Sequence, residues 1–346
     1  MNPVLSEVWR GGLLESLHRG ALCVMEGETV RLELGDVDRP LFPRSAVKPF
    51  QALPLLEEGV AEATGLSSAQ LAIISGSHGG EPCHVAEVQE LLDRNGIPRA
   101  ALRCGVHAPF DRHAAQALQR EGLEPTVLHN NCSGKHAGML LLARHLGADL
   151  DGYLSPEHPV QQRIRRELAE FTDTPPEELT CAVDGCGAPA FSLPLRKLAR
   201  AMARFAEPRR HEAARAAATR LLFDAVCDAP EFIAGRAFLD THLIEAGQRR
   251  VLCKRGAEGV LALAIRGRPG GAGIGIALKI EDGAVRGYYP VAPWLLRQLG
   301  VPLSGLEDRL PDPMRGVLRN HAGTRIGELR LSDELRTLGA RWTETA

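Results

Sequence analysis

No apolar run in this sequence approaches the roughly 20 residues that a membrane-spanning helix needs. Neither sign of charge dominates: 41 Lys and Arg stand against 43 Asp and Glu, leaving a net charge of -2. Such a balance offers no strong field to nucleic acid or to an acidic membrane surface. Aromatic residues are scarce, at 4%, but 44% hydrophobic residues suit an ordinary soluble globular protein with a sizeable core. Internal repeats and low-complexity linkers are lacking, so the 346 residues suit one large domain or two intimately joined ones. The eight cysteines (Cys23, Cys83, Cys104, Cys132, Cys181, Cys186, Cys227 and Cys253) show no paired framework, which points to reduced thiols. The N-terminal MNPVLSEVWRGG lacks the basic-then-apolar pattern of a signal peptide, and the expected location is the cytoplasm.

Reactive groups concentrate in His129–Leu140, HNNCSGKHAGML. A thiol (Cys132), an amine (Lys135), two imidazoles (His129, His136) and two amides (Asn130, Asn131) fall within eight residues. Asn-Asn suits a turn or cap, and the apolar run that follows suits a helix. A thiol at a helix N-terminus feels its partial positive charge, which favours thiolate.

The N-terminal stretch 4–36 alternates as strands that meet in a hairpin at Gly27-Glu28. Pro43 precedes a helix start; Pro49 fits its first turn, and Pro54 bends or ends it. Helical periods recur at 84–92, at 112–120 and through 156–228, where Val160, Ile164, Leu168 and Phe171 share one face. TCAVDGCGAP (180–189) interrupts them as a short strand with a tight glycine turn. From residue 250 the period changes to alternation, giving strands joined by GRPGGAG, then a helix at 293–299 and a last strand at 324–331. These elements predict an α/β (α+β) chain. N- and C-terminal segments form one antiparallel sheet flanked by helices, plus a helical subdomain. The sheet-bearing parts are 1–60 and 240–346, and 61–239 is mainly helical, in one unit of 1–346.

Four constellations carry chemistry, each with a plainer reading. In Ser45-x-x-Lys48, one helical turn puts an amine beside a hydroxyl, and a lysine made neutral by burial can take a serine proton. The plainer reading is a solvent-facing helix start. Ser75-Gly-Ser77-His78 exposes hydroxyls and backbone N–H groups on a glycine turn, suited to an oxyanion or carboxylate, or is simply a polar loop. Lys254-Arg-Gly256 lets a substrate approach a strand-end lysine, or is a solvated strand end. Cys132, Lys135 and Cys186 can give a three-ligand zinc site with one open position, or two buried structural thiols.

Together RGGLLESLHRG, PRSAVKPFQ, SGSHGG, NNCSGKHAGML, DGCGAP and KRGAEGV, in this order, resemble the L-asparaginase II family of Rhizobium etli type over about residues 8–290. The resemblance implies a fold similar to serine β-lactamases and bacterial glutaminases. It implies hydrolysis of L-asparagine to L-aspartate and ammonia, a homodimer, and no organic cofactor. The family's first Ser-Lys pair falls on Ser45 and Lys48. Its second falls on Ser77 and Lys254, with Lys279 the competing choice. The zinc ligands fall on Cys132, Lys135 and Cys186, with the metal as an accessory. Arg44, His78, Asn131, His136, Asp184 and Gly185 fall among the surrounding substrate-binding positions. The expected chemistry has neutral Lys48 take the Ser45 proton, while Ser77 and Lys254 relay or share the basic role. Many penicillin-recognising enzymes carry Lys-Thr-Gly where this chain has Lys254-Arg-Gly, which leaves the role of position 255 open. The rival readings are a glutaminase or penicillin-type acylase, and a non-catalytic zinc-dependent amino-acid sensor that would need the Cys/Lys cluster but not both Ser-Lys pairs.

Overall fold

The alternation of the first 36 residues folds as a meander. Val4–Arg10 turns into the long strand Leu13–Glu26, which turns at Gly27-Glu28 into Thr29–Leu34. Gly27 takes φ +56°, a left-handed conformation that suits glycine in a tight turn. The computed structural model describes residues 1–343, with side chains to residue 338. Residues 344–346 of the expected C-terminal part lie outside the described residues.

Leu13–Glu26 joins the two ends of the chain. Its first half pairs with Val4–Arg10 and its second half with Ile274–Ile280, both antiparallel. The sheet runs Val317–Arg319, Arg325–Leu331, Val4–Arg10, Leu13–Glu26, Ile274–Ile280, Val260–Ile265, Val251–Arg255, with Thr29–Leu34 paired to the far half of Leu13–Glu26. The N- and C-terminal segments therefore share one antiparallel sheet, and the chain has a mixed helix and antiparallel-sheet fold. The strand Val317–Arg319 was not legible in the alternation. Val260–Ile265 is buried at every position, so its sequence is a continuous apolar run.

The helices follow their periods. Pro49 sits in the first turn of Lys48–Glu57 and Pro54 near its end. Ser133–His145 is buried from Ser133 to Ala143, so its apolar residues surround it on every face. These two helices pack on each other and on Ser68–Ile74, and Lys48–Glu57 packs also on Ala213–Asp228. Arg163 and Arg215, from the neighbouring helices, clasp Glu57 and the buried Glu167. Burial, then the nearby Glu57, push the Glu167 carboxyl up to about 7. This clasp anchors the end of the helix whose other end carries Lys48. Among the described residues no helix is long and apolar enough to cross a membrane.

Leu195–Phe205, from the stretch expected to be mainly helical, packs on the sheet. It approaches so closely that a Cβ at Gly275 would lie 1.9 Å from Ala199 O and 2.3 Å from Ala203 N. Ala199 and Ala203 are small residues one turn apart, which leaves their backbone open to the strand. Both obstructing atoms are backbone, so no rotamer change relieves the clash. Gly275→Ala should lower the unfolding free energy by about 1–3 kcal/mol, the usual cost of overpacking. Urea unfolding measures it; a midpoint equal to the parent's would mean the helix is not seated this way.

Candidate active site

Where the helical core meets the end of the sheet lies a cavity of about 590 Å³, whose walls include Ser45, Ser77, Asn131, Cys132, Asp184, Gly185 and Cys186. Each wall has a local cause. Arg44 opens the turn before Lys48–Glu57 with φ +53°, uncommon for a side-chain-bearing residue. It is held there by Asp184, whose Oδ1 lies 2.7 Å from Arg44 Nε and 2.5 Å from Nη2. Asp184 occupies the turn between Cys181–Val183 and Pro189–Phe191, and Gly185 N–H donates to its Oδ1 at 2.7 Å. Burial works against the Asp184 anion, but Lys135 and Arg44 outweigh it and hold the carboxyl below its usual range.

Ser77 follows Ser68–Ile74 on the expected glycine turn. A Cβ at Gly76 would meet Phe232 O at 2.6 Å, so the backbone itself packs there, and Ser77 N–H donates to Ile233 O at 2.7 Å. Lys48 runs under this turn, only 1% exposed. Its Nζ lies 2.6 Å from Gly76 O, 2.8 Å from Ser77 Oγ and 3.3 Å from Cys132 Sγ. As an ammonium it can donate to all three. As a neutral amine it donates to the carbonyl and the sulfur and accepts the Ser77 O–H on its lone pair. Burial favours the neutral form and lowers the Lys48 pKa, although Cys132 opposes this.

The helical spacing of Ser45 and Lys48 thus brings them near one another without a bond. They share a small enclosed space with Asp184 and Lys135. Ser45 Oγ lies on the main cavity wall and makes no hydrogen bond among the described residues. The contact that does form joins Lys48 to Ser77, 29 positions away, crossing the two pairs drawn from the sequence.

Cys132 stands at the N-cap of Ser133–His145, fixed by Cys132 N–H donating to Asn130 Oδ1 at 2.8 Å. The neighbouring Cys186 thiol and the amines of Lys48 and Lys135 hold Cys132 well below the ordinary thiol range. Cys186 moves the opposite way, because the Cys132 sulfur and burial both disfavour a second negative charge there. Lys135 Nζ donates to Cys186 Sγ at 3.2 Å. Burial opposes its ammonium, but Cys132, Cys186 and Asp184 outweigh burial and raise its pKa. Two sulfurs and one nitrogen converge, the soft donor set that suits zinc.

Lys254 lies one residue before the end of Val251–Arg255, fully buried, with Nζ donating to Arg255 O at 2.8 Å. Burial brings its pKa down to about 7. Lys279 donates to Ile280 O at 2.7 Å and to Glu258 O, and neither it nor Lys254 lines the cavity itself, although the next residue after Lys254, Arg255, does. Neither His78 nor His136 lines it either. His78 Nε2 contacts Ser133 Oγ at 2.9 Å and its Nδ1 accepts Gly80 N–H; His136 Nδ1 contacts the Tyr153 hydroxyl at 2.6 Å. Burial pushes both imidazoles well below their ordinary pKa. A second group of metal-type ligands, Glu81, Cys83 and His84, lies at a helix start. There His84 Nδ1 accepts Glu81 N–H and Nε2 contacts Glu231 O, so both ring nitrogens are already engaged, one in the cap and one with a distant carbonyl.

Sequence reasoning missed another part of the wall: Phe110, Phe238, Asp240, Arg255, Tyr288 and Tyr289. Only Arg255 left a trace, as the residue between Lys254 and Gly256. Its guanidinium lies 3.7 Å from the Phe238 ring centroid and 3.5 Å from Asp240 Oδ2.

Among known families, the model of the L-asparaginase II family matches residues 6–331. Comparison with curated proteins gave no match. Of solved structures, the chain is similar to Mglu in its native form, at 16% identity over 88% of this chain and 70% of that one, with a TM-score of 0.46. It is similar to a Bacillus subtilis glutaminase in covalent complex with 5-oxo-L-norleucine, at 13% identity, 82% and 87% coverage and a TM-score of 0.40. It is also similar to a β-lactamase from Mycobacterium bovis, at 13% identity, 77% and 88% coverage and a TM-score of 0.39. Superpositions this loose carry no weight about activity.

Proposed function

Because the chain belongs to the L-asparaginase II family, a family of amidohydrolases, we propose that it hydrolyses the side-chain amide of L-asparagine, giving L-aspartate and ammonia. The observation that carries this reading is a buried amine, Lys48 Nζ, 2.8 Å from a serine hydroxyl on the wall of a cavity that a second serine shares. A serine hydroxyl needs a base to become a nucleophile, and a desolvated lysine is one.

In this reading Ser45, the unpartnered hydroxyl, attacks the amide carbon, and its proton passes through Ser77 to neutral Lys48. The tetrahedral intermediate collapses, the Lys48 ammonium returns a proton to the leaving nitrogen, and ammonia departs. Water then cleaves the aspartyl ester by the same proton route and frees Ser45. Asp184, held anionic by Lys135 and Arg44, receives the substrate's α-ammonium. Lys254, fully buried, supplies a second amine that exchanges protons near neutral pH. A second reading, favoured by the contact Lys48 already makes, has Ser77 attack directly.

Cys132, Lys135 and Cys186 would hold a zinc ion, which would supply a fixed positive charge beside the cavity. Lys135 would have to shed the proton its sulfur neighbours now favour, so metal uptake should release protons. Purified protein should then carry one zinc per chain, and Cys132→Ala/Cys186→Ala should carry none by elemental analysis. Stoichiometric metal in the double variant would rule out these ligands.

One methylene separates glutamine from asparagine and is worth only about 1–3 kcal/mol in a pocket. Ammonia release should be faster from L-asparagine than from L-glutamine at equal concentration. Acid quenching during asparagine turnover should leave an aspartyl ester on the peptide containing Ser45, visible by mass spectrometry and lost in Ser45→Ala. An ester on the Ser77 peptide would transfer the attack to Ser77. Binding of asparagine with no turnover would overturn the enzyme reading in favour of a sensor.

A further inference from the structure

Asp240 belongs to none of the sequence motifs, yet its carboxylate is fully buried at the start of Leu239–Ala246, against the end of Val251–Arg255. Its Oδ1 accepts the Arg255 backbone N–H at 2.7 Å. Its Oδ2 lies 3.5 Å from Arg255 Nη1 and has no hydrogen-bond partner among the described residues. Lys254 Nζ donates to the carbonyl of that same Arg255 at 2.8 Å. One residue's backbone therefore carries the carboxylate on its N–H and the amine on its C=O. A buried carboxylate with one under-satisfied oxygen costs free energy unless a nearby positive charge compensates it. The Arg255 guanidinium compensates only in part, since it also lies over the Phe238 ring.

We propose that Asp240 is a positioning residue for this reaction. Its carboxylate locks the Lys254–Arg255 strand end behind the cavity wall and is the counter-charge against which the Lys254 amine gains and loses its proton. The proposal rests on the reading of Lys254 as a proton-exchanging amine of the site.

The surroundings leave Asp240 as the anion that matters. Lys48 presses on Lys254 from its own helix, and Arg255 and Cys253 act from the same strand. Val260–Ile265 carries no titratable side chain. From Ala213–Asp228, the Cys227 sulfur faces Val251 O, and Asp224 and Asp228 pair with Arg249 beyond the other end of the strand. Arg44, in the turn packed on this strand, is engaged by Asp184. Arg255, and Lys48 whenever it is protonated, destabilise the Lys254 ammonium, and Asp240 opposes them. Burial still wins and sets the Lys254 pKa at about 7.

The sign of the effect follows. Neutral Lys254 accumulates as pH rises through its pKa, so kcat/KM should show an acid limb near 7. Removing the Asp240 charge makes the ammonium less favourable still, and the limb moves toward lower pH. Asp240→Asn keeps an acceptor for the Arg255 N–H while removing the charge, so a purely structural role would leave the limb in place. We expect a shift of about one pH unit toward acid. Arg255→Met removes a cation and frees Asp240 from its ion pair, so it should move the limb the other way and provides the test if Asp240→Asn does not fold.

The Lys254 13Cε shift, assigned by its loss in Lys254→Met, reads the same proton without activity. A downward shift of its titration in Asp240→Asn supports the proposal. An unchanged titration overturns it, as does an Arg255→Met limb that stays in place or moves toward acid. A titration that moves while the kinetic limb does not supports the role of Asp240 and instead overturns Lys254 as a kinetically significant amine.

Discussion

An ammonium removed from water loses hydration that only opposite charge and hydrogen bonds replace, and a lysine denied both gives up its proton. Lys48, Lys135 and Lys254 are 1%, 3% and 0% exposed, so all three face that constraint in one site. Their neighbours answer it differently. Lys135 has two sulfurs and Asp184, and keeps its proton. Lys48 has the Cys132 sulfur but also lies near Lys135, and burial prevails. Lys254 has Asp240, shared with Arg255, and falls to about 7. Chemically identical amines thus acquire different proton affinities from their surroundings alone.

The scaffold supplies these neighbours from distant elements. The helix Lys48–Glu57 is pinned at its far end by Arg163 and Arg215, and so presents Lys48 at a fixed depth. The glycine turn after Ser68–Ile74 brings Ser77 and the Gly76 carbonyl to that amine. The N-terminus of Ser133–His145 brings Cys132, and the turn at 184–187 brings Asp184 and Cys186. The sheet contributes Lys254 and Arg255 from its edge strand. The groups proposed to react thus sit at helix starts, tight turns and a strand end, where packed elements hold them still while the cavity stays open.

Local signals were legible in the sequence because local physics makes them. The alternation after residue 250 and before residue 36 corresponds to the shared sheet, and the glycine turn at 27 to a hairpin. His129–Leu140 lies on a turn and a buried helix, as its composition implied. Pairings between segments were less legible. One helical turn between Ser45 and Lys48 predicted a contact, but the Lys48 side chain extends across to Ser77, because the turn after Ser68–Ile74 packs where a long amine reaches it. His78 and His136 are polar residues within motifs that prove to be buried behind the wall. Asp240 and the aromatic rim are single residues on separate elements with no spacing to announce them; only tertiary packing brings them to the cavity.

Everything turns on an uncharged Lys48 taking a proton from a serine. The most direct measurement is Lys48→Met, with asparagine binding followed by calorimetry and ester formation followed in a single turnover. The account predicts retained binding and acylation slowed by about 10²–10⁴-fold, the usual worth of a positioned base. Acylation at the parent rate in that variant would contradict it.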